Sequence, residues 1–391
     1  MYETQKEKMI QAAEYLHKLD IDLWIIYTSE ASDISLPLIT GVKTVGPGAF
    51  LFTKTGEKFA VCSSIDAQDI EESELYHEVF TYSSNLAEVL ADLVGKINPN
   101  KIAVNKSKEE HLADGLTEGR FRWLKKTLAD VFQGSYVPAD QFLKKLRSIK
   151  TESEIANIQK AIDITHEIYE EIFTKMKAGM TEKQIGKLFV EALEERTLVN
   201  GIDRALSMPI VMKENIAHRA PSDVIIDKGD LVIFDFSVDY NGYVSDIART
   251  VYFLKDEEDQ APEEVNRTFH TIHEAISKAF DKIKPGIQGY EVDEVARTHL
   301  VDNGYPEIEH ATGHQIGRDV HDGGALLGPR WARYGNSPYE VIESGNVFTI
   351  EPTVFLRDKG IHFIVEENVV VGETGAKYLT KRQDELILIR S

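Results

Sequence analysis

The sequence predicts two domains of different class, an α/β domain over residues 1–140 and an α+β domain over 153–391, with a linker at 141–152. Three observations carry this division. The 391 residues exceed what a single core ordinarily holds. Helical and strand periodicities alternate through the first third, then give way to helices in pairs followed by strands in pairs. Four acids, Asp235, Asp246, Glu351 and Glu366, fall in or beside the apolar strand runs of the second part, with His314 in a glycine-flanked stretch.

In the first domain the spacing predicts a helix near 3–18, strands at 22–28, 48–54, 58–64 and 101–105, and helices near 84–96 and 118–132. Strands interleaved with helices describe an α/β layer with a mixed sheet. No glycine-rich phosphate loop follows any of these strands, so nucleotide binding has no support here. Beyond the linker, a long helical pattern over 153–179 ends at Gly179, and Thr181 with Gln184 opens the next helix as a capping box. Strands around 206–213 and 231–253, helices at 263–282 and 290–303, and strands at 347–356 and 361–371 complete the plan.

The acids are the informative part, because isolated ionised groups do not survive burial: they pair, neutralise or coordinate a metal. Asn241-Gly242 is the preferred dipeptide of a two-residue hairpin turn. That turn sets Tyr240 opposite Tyr243 and, further along, Asp246 opposite Ser237, so that Asp235 becomes a diagonal neighbour of Asp246 on one sheet face. If Arg357–Gly360 forms a four-residue loop, Leu356 opposes Ile361 and Glu351 falls directly opposite Glu366. Like charges in that position repel, and the register makes sense with a cation between them. Four carboxylates would balance two divalent ions. An oxygen-rich set with one imidazole suits Mn, Co, Fe or Zn better than a thiolate-selected metal, and manganese is the favoured expectation.

Composition narrows the remaining classes. A net charge of −21 with no basic stretch argues against a nucleic-acid surface. No run approaches the ~18 apolar residues of a membrane span, and the amphipathic first twenty residues contain no apolar signal core. The single Cys62 excludes an internal disulfide and a cysteine metal cluster, and the expected location is the cytoplasm. Beyond the metal set, His218 and His321 are candidates to hold a substrate carbonyl or stabilise an oxyanion. His310 reads as structural. Arg249 is expected to brace a ligand carboxylate, and Arg330 and Arg333 could grip a substrate carboxylate.

The pieces that carry a resemblance are His218 ahead of Pro221, Asp235 and Asp246 eleven residues apart, GHQIGRDVH with His314 and His321, TIEP with Glu351, and Glu366 ahead of VVV. Together they resemble the pita-bread metallopeptidases, a group of Xaa-Pro aminopeptidases, Xaa-Pro dipeptidases (prolidases) and methionine aminopeptidases. Residues 1–140 are similar to the N-terminal domain of the creatinase and prolidase branch.

The resemblance implies a dinuclear metallopeptidase that removes an N-terminal residue from peptides or dipeptides of Xaa-Pro type. It assigns Asp235 and Asp246 to one ion and Asp246, His314 and Glu351 to the other, with Glu366 bridging. A metal-held hydroxide would attack the scissile carbonyl, Glu351 would move the proton, and His218 and His321 would position the substrate. A homodimer is also implied. Ser237, Gln315, Arg318, Thr353 and Ile364 depart from the family pattern and are expected to line or neighbour the pocket. Those departures leave open a metal-dependent amidohydrolase acting on a small non-peptide amide. A non-catalytic interaction protein that keeps the fold is the other alternative.

Overall fold

The computed structural model describes residues 2–202, 208–213 and 219–390. The chain divides into two compact units, Met1–Arg147 and Ser148–Ser391.

The first unit is built on a six-stranded mixed sheet. Its order is Glu78–Tyr82, Lys58–Ser63, Gly48–Thr53, Leu23–Thr28, Lys101–Val104 and Ser135–Pro138. Leu23–Thr28 runs antiparallel to Gly48–Thr53 and parallel to Lys101–Val104. Because successive side chains point to opposite faces, Leu23 and Ile25 enter one core with Leu51, Leu90 and Leu124, while Trp24 and Ile26 enter the other with Phe50 and Leu16. The sheet is therefore covered on both sides, which is why its central strands read as continuous apolar runs.

Residues 141–152, expected as a linker, are mostly something else. Asp140–Ser148 is a helix, and its Phe142, Leu143 and Leu146 are buried in the same core as Trp24. The apolar residues sit three and four apart between lysines, so the charged face hides a packed one.

The second unit has the α+β pita-bread plan that the resemblance implies. Two helices, Glu152–Lys175 and Glu182–Glu195, pack on a core containing Phe234, Phe236 and Val251, and both open with a capping box, Thr151 with Glu154 and Thr181 with Gln184. Two more, Glu263–Lys282 and Gly289–Asp302, cover a core containing Phe348, Val354 and Phe363. Between the helix pairs run short, curved sheets. Leu231–Phe236 lies between Ile210–Met212 and Ile247–Phe253, and Val347–Ile350 pairs with Glu367–Val371. Thr353–Leu356 and Ile361–Ile364 form a separate two-stranded ribbon.

Candidate metal centre

Two hairpins deliver the acids. Tyr240 faces Tyr243 across Asn241 and Gly242, whose φ angles of 54° and 76° are the paired left-handed values of a tight hairpin turn. The same register continues into the next strand pair, where Ile247 faces Phe236 and Ala248 faces Asp235. Asp246 therefore stands opposite Ser237, with Asp235 as its diagonal neighbour. In the second hairpin Leu356 faces Ile361 and Thr353 faces Ile364, and beyond them Ile350 faces Glu367. Carried across the two intervening positions, that register sets Glu351 opposite Glu366. Both alignments match those expected from the turn residues.

Backbone and side-chain clamps join the hairpins to each other and to the histidine loop. The amide of Glu366 donates to Ala248 O at 3.1 Å. The Asn368 amide accepts from Asp246 N at 3.2 Å and donates to Asp246 O at 2.5 Å, supplying the bonds a neighbouring strand would make. Gly313 leaves room for the strand beside it, since a Cβ there would lie 2.1 Å from Thr349 O. His314 N donates to Thr349 Oγ1 at 3.0 Å, and that hydroxyl donates to Glu351 Oε1 at 3.3 Å. One threonine thus sets both a histidine and an acid of the site.

The result is a concentration of buried charge. His314 Nε2 lies 3.1 Å from Glu351 Oε1 and 3.6 Å from Asp246 Oδ2. Ligand atoms of Asp246, His314 and Glu366 all fall within 4.8 Å of one another, close enough to share an ion. Asp235 and Glu351 line the same cavity, of about 650 Å³.

Burial pushes the Asp235 carboxyl up to about 7, reinforced by the Glu351 charge. Burial and Asp235 raise Asp246 well above its ordinary range, and burial with Asp246 and Glu351 does the same to Glu366. Glu351 moves the other way. Burial pushes it up, but its bond to His314 prevails and holds it below its ordinary value. The same bond and charge carry His314 up to about 9 against the pull of burial. One imidazolium cannot satisfy four acids. Asp235 Oδ1 and Glu366 Oε1 are buried with no hydrogen-bond partner among the described residues. A buried carboxylate oxygen without a donor is expensive, and an oxygen-rich set of this kind fits divalent cations.

The other candidates fall in three groups. His321 is exposed on the cavity rim, its ring centroid 4.3 Å from that of His314. His218 lies outside the described residues. His310, read as structural, is bonded as such, with Nδ1 2.6 Å from Ala311 O and Nε2 3.0 Å from Thr353 Oγ1. It also forms part of the cavity wall. Its four-residue spacing from His314 was the available signal, obscured because the segment is a loop and not a helix.

Three arginine expectations need correction. Arg249 does not pair with a ligand carboxylate. Its guanidinium meets Glu367 Oε2 at 3.3 Å and donates to the backbone oxygens of Glu366 at 2.6 Å and Ala248 at 3.0 Å. Arg330 stacks 4.6 Å over Tyr290, and Arg333 donates to Glu309 O at 2.6 Å and lies 4.5 Å over Trp331. Neither is among the residues that line the cavity. Aromatic faces hold both, a partner that loop sequence does not reveal.

The five departures also separate. Ile364 lines the cavity and Thr353 holds His310. The others are not among the lining residues: Ser237, beside the acids, donates to Ser245 O, and Arg318 lies 5.0 Å over the Tyr243 ring. The Gln315 amide lies between Ser148 O and Ala325 N, and in the orientation that satisfies both it donates to the first and accepts from the second, each at 3.1 Å. Sequence reasoning missed the apolar part of the lining, to which Ile202, Met208, Pro209, Ile210 and Phe355 contribute.

Comparison with known proteins agrees with this geometry. The metallopeptidase family M24 model matches residues 156–373. The chain is 26% identical to the Xaa-Pro dipeptidase of Pyrococcus horikoshii over 389 residues, covering 98% of this chain and 100% of that protein. It is 30% identical to the Xaa-Pro dipeptidase of Pyrococcus furiosus over 252 residues, 63% of this chain and 67% of the other. The crystal structure of an X-Pro aminopeptidase from Thermotoga maritima superposes with a TM-score of 0.75 at 23% identity, covering 97% of this chain and 99% of that one. With its acids and histidine gathered in one cavity and more than half its length matched, this chain belongs to metallopeptidase family M24.

Proposed function

We propose that the protein hydrolyses the amino-terminal peptide bond of Xaa-Pro dipeptides or short peptides on a centre of two divalent ions. The observation that carries this reading is the pair of buried carboxylate oxygens, Asp235 Oδ1 and Glu366 Oε1, that no group among the described residues satisfies in a cavity shared with Asp246, His314 and Glu351. The Xaa-Pro dipeptidase relatives and the X-Pro aminopeptidase fold support the substrate class. Asp235 and Asp246 would hold one ion, and Asp246, His314 and Glu351 the other, with Glu366 between them. When bound, such a pair supplies an acidified water as nucleophile and polarises the scissile carbonyl.

The chain's own residues do the rest. Glu351, which accepts from the Thr349 hydroxyl, would take a proton from the nucleophilic water and return it to the leaving amine. His321, at the rim beside His314, would donate to the oxygen on which charge develops. The apolar side chains of Ile202, Ile210 and Phe355, which line the cavity, would pack against a proline-sized ring.

Manganese is the metal we favour, from the oxygen-rich donor set. A cytoplasmic homodimer completes the proposal. No described helix is long and apolar enough to cross a membrane.

The test is direct. Metal-free protein is reloaded with Mn²⁺ or Co²⁺ and assayed on Xaa-Pro dipeptides, Xaa-Pro tripeptides and a panel of non-peptide amides, with metal counted per chain. Two ions per chain and metal-dependent cleavage of the Xaa-Pro set are expected. Cleavage confined to the non-peptide amides would replace the peptidase reading with an amidohydrolase, and no cleavage at all would refute both.

A further inference from the structure

The first residues of the second unit contain a charged residue that the chemistry above leaves unused. Lys150 lies next to Asp322, Nζ to Oδ2 at 3.1 Å, with side-chain exposures of 0% and 3%. Among the described residues the ammonium makes no hydrogen bond of good geometry, so the two meet as charges in a buried slot. The slot is built for them: a Cβ on Gly317 would stand 2.1 Å from Asp322 Oδ2 and 2.8 Å from Lys150 Cε. A buried ion pair is weak evidence for stability, since apolar residues of similar volume often do as well. Its better-attested use is to specify one arrangement over others.

The arrangement at stake is the loop that carries both histidines. His314 is anchored on the ascending arm by Thr349, and Ile316 N donates to Val347 O at 3.1 Å. The descending arm, which carries the exposed His321, is held in part through Asp322. Asp322 N donates to Gln315 O at 2.9 Å, and the Asp322 carboxylate meets Lys150. Lys150 is itself pinned, its amide donating to Gly345 O at 2.9 Å, while Asn346 Nδ2 donates to Ser148 O at 3.0 Å. Asp322 immediately follows His321, so whatever fixes its carboxylate fixes the backbone from which the imidazole projects.

We propose that the Lys150–Asp322 pair is a positioning element that holds His321 beside His314, and that its contribution to catalysis passes through His321. The catalytic half rests on the role given to His321 above; the positional half does not. Asp322→Asn and Lys150→Met should each lower kcat/KM about 10- to 100-fold, the effect of misplacing a group that contacts substrate. Metal content should stay at the wild-type value. In a His321→Ala background the same substitutions should cost less than about 2-fold, because the group they position is gone.

The double variant Lys150→Met/Asp322→Leu guards against a simple folding defect. It should restore the urea midpoint to near wild type and leave kcat/KM low. Histidine side-chain NMR of the metal-free protein gives a reading independent of activity. His321 should show one sharp resonance in the wild type and a broadened or split one in Asp322→Asn, with His314 unchanged.

Additive losses with His321→Ala, recovery of kcat/KM in the apolar double variant, or an unaltered His321 resonance would each overturn the proposal. If the wild type cleaves nothing, the peptidase reading falls and the resonance alone decides whether the pair positions His321.

Discussion

Asp33 in the first unit and Asp246 in the second are buried almost equally, at 1% and 4% exposed, and the fold treats them in opposite ways. Asp33 is surrounded by donors. Its Oδ1 accepts from Ser35 N at 2.9 Å, Ser35 Oγ at 2.6 Å and Asn105 Nδ2 at 2.9 Å, and its Oδ2 accepts from Asn105 at 3.0 Å. Around Asp246 the neighbours are other acids and one histidine, and two of those acids present oxygens that nothing among the described residues satisfies. A fold that can build a complete donor cage for one carboxylate has not built one for four. The difference teaches what each is for: donors from the chain make a strut, and donors withheld leave coordination sites.

The comparison can be broken most decisively at Asp246. Asp246→Ala should remove bound metal and hydrolysis together, by more than the about 10- to 100-fold typical of losing an outer partner of a metal ligand. Asp33→Ala should leave both intact. Metal counts and rates on the two purified variants check this, and metal retained by Asp246→Ala would refute its assignment as a ligand.

Next in size is an inversion of stability in metal-free protein. Asp33→Ala strands several buried donors and should cost about 1–3 kcal/mol. Glu366→Gln relieves repulsion among neighbouring acids and should raise stability instead. Saturating Mn²⁺ should reverse the second result, since the wild type gains about 2.7 kcal/mol at a hundredfold excess over Kd and the variant does not. Urea denaturation with and without metal reads both signs.

The smallest effect expected concerns Glu182, a third way of housing a buried acid. It accepts from Arg219 at 2.6 and 2.9 Å and from the amide and hydroxyl of Ser222 at 2.9 and 2.7 Å. Burial pushes its carboxyl up, and the Arg219 and Ser222 donors outweigh that to hold it below its ordinary 4.5. A lowered folded-state pKa means stability present above the ordinary value and lost as pH falls through the folded one. Glu182→Gln should therefore be less stable than wild type by about 1–3 kcal/mol at pH 7, with the gap closing below pH 4.5. A gap independent of pH would show that the charge contributes nothing.

Much of this was legible before any coordinates. The turn residues Asn241-Gly242 and Arg357–Gly360 fix loop lengths, and with a side-chain period of two a loop length fixes which acids meet. What stayed hidden depended on partners distant in sequence. Glu366 and Glu367 are consecutive and point to opposite faces, so the sequence alone could not tell which of them Arg249 would meet. The helix Asp140–Ser148 shows its lysines in sequence and its buried face only in three dimensions. The strands Glu78–Tyr82 and Ser135–Pro138 at the sheet's two edges are half polar and lack a clean alternation. Arg330 and Arg333 had no visible counter-charge because their partners are rings.

The unbroken register from Tyr240–Tyr243 down to Leu231–Tyr252 has one more consequence. The placement of Asp246 is written as a count of residues, and the two-residue turn is where that count is set. One residue inserted between Tyr240 and Tyr243 would keep every ligand in the chain and still turn Asp246 to the opposite face of the sheet, away from His314. At this point the protein should tolerate substitution far better than insertion or deletion.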